Sequence, residues 1–187
     1  VPLSLVVIVA FLGYLVLSPS ESPTPKPSAI PACPKVADVV VGTIIVPAGP
    51  VAGFCQPQLE NAAQIILAAQ SYGLDQHGQE IGVMTAIGES GLRNVNYGDV
   101  AGPDSRGLFQ QRDNYGPVAD RMDPYTAARA FFGRMIGVAG WPTLPPTQVA
   151  HTVQRNADPT YYTQFWKRAV TVVTTLDAVP PLPRPRS

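Results

Sequence analysis

Proline sets the limits of what this chain can fold into. Six prolines fall between Ser18 and Pro34, and the tail reads "DAVPPLPRPRS". Proline has no backbone N–H and fixes its own φ, so neither stretch suits a helix interior or a central strand. Both read as extended linkers, assigned to residues 19–32 and 178–187. What lies between them is long enough for one modest domain of mainly helical character.

Ahead of the first linker, "VPLSLVVIVAFLGYLVLS" carries no charge from Val1 to Ser18. The run is a little short for a full span, which needs roughly 20 residues. It has the length of a long signal h-region. No small-x-small cleavage site follows closely, so a signal anchor over residues 1–18 is expected rather than a cleaved signal peptide. The chain is then extracytoplasmic, membrane-anchored or secreted.

An exported chain with two cysteines, Cys33 and Cys55, suggests a disulfide. It would clip residues 33–56, whose β-branched runs broken by Gly and Pro predict one or two short strands or an extended wrap. Lipidation at "IPAC" is the poorer alternative. Two cysteines and two distant histidines, His77 and His151, do not make a zinc site, and no metal or cofactor is expected. Charge excludes other partners. Thirteen basic side chains balance thirteen acidic ones, with no basic stripe, so nucleic acid is not expected.

From residue 57 to 177 the periodicity is helical. Leu59, Ala62, Ala63, Ile66 and Ala69 share one face, and Gly73 stands where a C-terminal cap belongs. A second helix is predicted from about Gln76 to Glu89, with Ile81, Met84, Thr85 and Ile87 inward. The stretch Gly91 to Arg106 has no period and reads as a loop. Asp123-Pro124 and Asp158-Pro159 are two strong helix starts, and a shorter helix is predicted from near Thr147.

One segment is more specific than the rest. Glu89-Ser90 ends the second predicted helix, and Gly107-Leu108-Phe109-Gln110 follows the polar loop. This arrangement resembles the signature of soluble lytic transglycosylases and goose-type lysozymes, in which a catalytic Glu-Ser precedes a Gly-Leu-Met-Gln segment. Phe109 stands where Met is usual. "NYGD", ending at Asp99, is similar to the Trp-Gly-Asp segment of the goose-type enzymes. The wording from Ser90 to Arg112 also resembles the lysozyme-like domain of actinobacterial wall hydrolases, where a peptidase domain often follows a linker.

The resemblance implies a lysozyme-like helical domain acting on peptidoglycan glycan strands, with Glu89 as acid/base. Elementary chemistry points to the same residue. A glycosidic acid must keep its proton near neutral pH, and both apolar surroundings and a helix C-terminus disfavour the charged carboxylate. Ser90, Gly107 and Gln110 are implied to line the substrate site. Tyr97 and Tyr115, in the loops around it, are candidates to stack on sugar rings. Trp141, Tyr161, Tyr162 and Trp166 are expected to be mainly core.

The reaction itself stays open. An inverting hydrolase needs a second carboxylate roughly 6.5–9.5 Å from the acid. Asp99 is the first candidate, ahead of Asp104 and Asp113. Without such a base, the sugar's own hydroxyl closes an anhydro product, as in transglycosylases. Those enzymes carry an Ala-Tyr-Asn-Ala-Gly segment. Here "QRNAD" keeps Asn156 and Ala157, while Arg155 replaces Tyr and Asp158 replaces Gly. A non-catalytic wall-binding module, or a part of a secretion or conjugation apparatus, is the rival class.

Overall fold

The computed structural model describes residues 33–178, all within one compact unit. The expected signal anchor, the first linker and residues 179–187 of the second lie outside the described residues. Among the described residues, no helix is long and apolar enough to cross a membrane.

The described chain is mainly α. A small hairpin comes first, β1 (Val39–Val41) and β2 (Ile44–Val46), antiparallel with Val40 opposite Ile45. Six helices follow: α1 (Gln56–Ser71), α2 (Gln76–Ser90), α3 (Val118–Met122), α4 (Pro124–Met135), α5 (Pro146–Gln154) and α6 (Trp166–Asp177). Strand residues Ile44 and Val46 are buried, and β2 packs on α1 and α6. Cys33 and Cys55 form a disulfide with Cα atoms 5.3 Å apart. Cys55 is also the N-cap of α1, and its N–H donates to Gln58 Oε1 at 3.2 Å. The disulfide therefore ties the start of the hairpin segment to the first turn of the first helix.

Helix α1 buries the expected face, together with Ile65 and Ala68. Its end is a Schellman turn. Gly73, at φ 68°, donates to Gln70 O, and Leu74 donates to Ala69 O.

Helix α2 departs from the amphipathic expectation. Every residue from Gly78 to Ile87 is buried, because α1, α4, α5 and α6 all pack around it. It is the axial helix of the domain. A helix buried on all sides belongs at the centre of a bundle, and this one buries Gln79, Glu80 and Thr85 along with its apolar residues. Gly88 carries the pattern to its end, where the rings of Tyr162 and Phe165 take the space a Cβ would need.

Helix α4 starts as its sequence dictates. Asp123 accepts from the N–H of Thr126 at 2.8 Å, and Pro124 opens the helix. The parallel expectation at Asp158-Pro159 is corrected. Asp158 Oδ1 accepts from both the N–H and the hydroxyl of Thr160, closing a tight local turn. Residues Tyr161–Phe165 then wind as a 3-10 helix, and α6 begins only at Trp166. Tertiary bonds hold that turn, because the Tyr161 hydroxyl donates to Gly88 O at 2.8 Å and the Tyr162 hydroxyl donates to Glu89.

Candidate functional site

Helix α2 runs through the core and emerges at Glu89. The chain leaving it is held by polar side chains of α1. Gln58 Nε2 donates to Gly91 O at 2.7 Å, and Asn61 Nδ2 donates to Leu92 O at 2.9 Å. These bonds fix where the helix stops, and so where the Glu89 carboxyl sits.

The segment Gly107-Leu108-Phe109-Gln110 is fixed against the same helix end. The Ser90 hydroxyl donates to Leu108 O at 2.8 Å. Phe109 is fully buried and stacks on Phe131, with ring centroids 4.8 Å apart. Gln154 Nε2, from α5, donates to Phe109 O at 2.8 Å. Buried Arg121 donates to Asp104 O at 2.6 Å and to Gln111 O at 3.0 Å, drawing together the residues that flank this segment. Gly107 adopts φ 76°, and a Cβ there would lie 1.9 Å from the carbonyl oxygen of Arg121. The close approach that Gly107 permits is thus to the protein's own backbone.

Together these elements form a cleft of about 780 Å³. Glu89 lines it together with Gln110, Tyr115, Arg134, Gln154, Arg155, Asn156 and Tyr161; Asp99 lines it as well. The volume is in the range of small-ligand sites.

Burial pushes the Glu89 carboxyl above its ordinary range, and hydrogen bonds from Tyr162 and then Gln154 oppose that rise. The C-terminal end of α2 acts in the same direction as burial. The Tyr162 phenol is itself pushed far up, first by its own burial and then by the charge of Glu89. It therefore stays a hydrogen-bond donor. Desolvation thus tightens the carboxyl's hold on its proton, and two donors stand ready to stabilise the carboxylate when the proton leaves.

The remaining sequence candidates separate by position. Asp99 is exposed, and its Oδ1 accepts from Gly102 N at 2.8 Å within its own loop. Asp104 is held well below the ordinary carboxylate range, chiefly by the backbone N–H of Asp113 and also by Arg112, its ion-pair partner at 2.5 Å. Asp113 is exposed and outside the cleft lining. Tyr115 lines the cleft beneath the guanidinium of Arg134, 3.4 Å from its ring centroid. Tyr97 is 73% exposed and does not line the cleft. Asn156 lines it, but its amide is already engaged by His151 Nδ1 at 2.8 Å and by the Asp158 carbonyl at 2.9 Å. Ser90 spends its hydroxyl on the protein, so it positions Leu108 rather than meeting a ligand.

Four residues near Glu89 were not singled out by the sequence as site residues: Tyr162, Gln154, Arg134 and Arg155. Arg155 is the one with a local signal. It holds a left-handed backbone at φ 60°, uncommon for a residue other than glycine, inside the segment compared above. Trp166 lines a separate apolar hollow with Met84 and Pro145. Among the described residues there is no group of metal-ligating side chains. No known family model matches this chain, and no curated protein matches it.

Proposed function

We propose that this protein is a lysozyme-like enzyme that cleaves the β-1,4 bond between N-acetylmuramic acid and N-acetylglucosamine in peptidoglycan glycan strands. Glu89 is its general acid and then its base. The observation that carries the proposal is Glu89 itself: one desolvated carboxyl, at the end of the axial helix, opening into a sugar-sized cleft. The match of Glu89-Ser90 and Gly107-Leu108-Phe109-Gln110 to the lytic transglycosylase and goose-type signature supports it. The disulfide agrees with an oxidising, extracytoplasmic setting, where the wall lies.

In the proposed reaction Glu89 donates its proton to the glycosidic oxygen as the bond to the sugar breaks. Tyr162 and Gln154 stabilise the carboxylate that results. Two sources complete the reaction. If Asp99 activates water, the products carry ordinary reducing ends. If the sugar's own C6 hydroxyl gives its proton to Glu89, the product is anhydro-muramic acid and Asp99 plays no part. Mass analysis of the released muropeptides separates the two.

The deciding experiment is Glu89→Gln on purified wall. Losing a general acid is expected to lower turnover by roughly 10²–10⁴-fold. Equal and negligible sugar release by both proteins would refute the enzyme and favour a wall-binding module. The N-terminal apolar run would hold the protein at the membrane while the cleft reaches into the wall.

A further inference from the structure

One wall of the cleft is braced by a residue that does not line it. Arg155, Asn156, Ala157 and Asp158 all line the cleft, and they follow directly on α5. Two α5 side chains, one helical turn apart, hold this segment. The Thr147 hydroxyl donates to Pro159 O at 3.0 Å, and Nδ1 of His151 meets Asn156 Oδ1 at 2.8 Å. Residues four apart share a helix face, so both reach the same stretch of chain. The His151 carbonyl also accepts from the Arg155 N–H at 2.7 Å. The reaction proposed at Glu89 uses neither Thr147 nor His151.

The hydrogen bonds fix which way each group is turned. Asn156 Nδ2 donates to the Asp158 carbonyl at 2.9 Å, and of the two amide atoms only the nitrogen can do so. The amide oxygen is therefore the atom turned to His151. An amide oxygen only accepts, so the proton of that bond sits on Nδ1 of the imidazole. The neutral ring then has a protonated Nδ1 and a bare Nε2. Asp158 is fixed in turn, because its Oδ1 accepts from the N–H and the hydroxyl of Thr160. Two of the four hydrogen-bonding positions of an asparagine amide are thus filled, leaving one N–H and one lone pair. They belong to a half-buried residue of the cleft wall. An acetamido group offers their complement, one carbonyl and one N–H.

We propose that His151 is a positioning residue for glycan binding: its Nδ1–H locks the Asn156 amide in the orientation that receives an N-acetyl group of the strand. The proposal rests on the glycan substrate proposed above. His151 itself touches no sugar. Without its donor the amide is free to turn, and ordering it becomes a cost of binding.

The test reads tautomer and binding, so it reports even if Glu89 is not catalytic. The full chain, isotope-labelled in nitrogen and held in detergent micelles, is followed by NMR at a pH where the imidazoles are neutral. The chain has two histidines, and His151→Asn assigns their signals. His151 is expected to show a protonated Nδ1 and an unprotonated Nε2. A tetramer of N-acetylglucosamine is then titrated in, and it is expected to shift the Asn156 side-chain amide. His151→Phe keeps a ring and lacks the donor, and is expected to weaken binding roughly tenfold, the scale of one hydrogen bond. His151→Asn places an N–H near the position of Nδ1 and is expected to recover most of that loss. A ring needed only for packing would be replaced better by Phe than by Asn. The tautomer is read on the unaltered protein, so it decides even if a variant folds poorly. The proposal is overturned by a proton on Nε2 in place of Nδ1, by an Asn156 amide that the tetramer leaves still, or by a His151→Phe variant that binds as well as wild type or as His151→Asn. None of those results touches the Glu89→Gln experiment, which reads turnover and stands or falls separately.

Discussion

The Tyr162 hydroxyl donates a hydrogen bond to Oε1 of Glu89, joining residues 73 positions apart in the chain. The phenol is fully buried, and its raised pKa keeps it protonated, so it acts only as donor. It lowers the Glu89 pKa against the larger effect of burial. Tyr162→Phe removes the donor, and the Glu89 pKa is expected to rise further. The alkaline limb of the proposed wall-clearing activity should move to higher pH. Turnover should fall roughly tenfold, the scale of one hydrogen bond to a charged group. A pH profile with an unmoved alkaline limb would sink this account of Tyr162.

Stability should report the same buried carboxyl. Burial raises the folded pKa of Glu89 above its ordinary 4.5, so the folded state binds this proton more tightly than the unfolded chain. The stabilisation is complete below pH 4.5 and is lost as pH rises through the folded value. Glu89→Gln escapes that loss. Thermal unfolding should show the variant more stable than wild type at neutral pH, with the advantage shrinking as pH falls toward 4. An advantage that is constant with pH would mean the carboxyl is not desolvated.

The Cys33–Cys55 bridge closes a loop with a sequence separation of 22. Chain entropy assigns such a loop about 3 kcal/mol. Cys33→Ala with Cys55→Ala is expected to lose about that much in denaturant unfolding. Amide exchange should quicken most in β1 and β2, which the bridge ties to α1.

Two glycines with left-handed backbones should behave differently. Gly91, at φ 63°, has nothing within 4 Å of where a Cβ would sit. Gly91→Ala should cost only the backbone strain, roughly 1–2 kcal/mol. Gly107, at φ 76°, would place its Cβ 1.9 Å from the Arg121 carbonyl oxygen. Gly107→Ala must displace α3 or the cleft loop, so its cost should exceed that of Gly91→Ala by roughly 2 kcal/mol or more. Equal losses in the two variants would mean that the loop yields easily.

Wherever partners are close along the chain, the sequence could be read directly. Asp123-Pro124 opens α4 because the bond it makes is to Thr126, three residues on. Gly73 ends α1 through bonds to Gln70 and, at Leu74, to Ala69. With two cysteines there is one possible intramolecular bridge, and it forms. The helical period marked the buried face of α1, and an apolar run ending in Glu89 placed a carboxyl at the end of α2.

Other features depended on where distant segments meet. Asp158 has the same cap chemistry as Asp123, yet α6 starts eight residues later, because Tyr161 and Tyr162 are held by the end of α2. Tyr97 and Tyr115 both read as loop tyrosines in the sequence, and only Tyr115, which ends a short 3-10 turn, reaches the cleft. Gln154 and Tyr162 come to Glu89 from α5 and the turn before α6, segments with no sequence relation to it. A cap or a turn is satisfied within a few residues, so composition and spacing determine it. The burial of Glu89, and the donors that temper it, exist only once four helices close around α2.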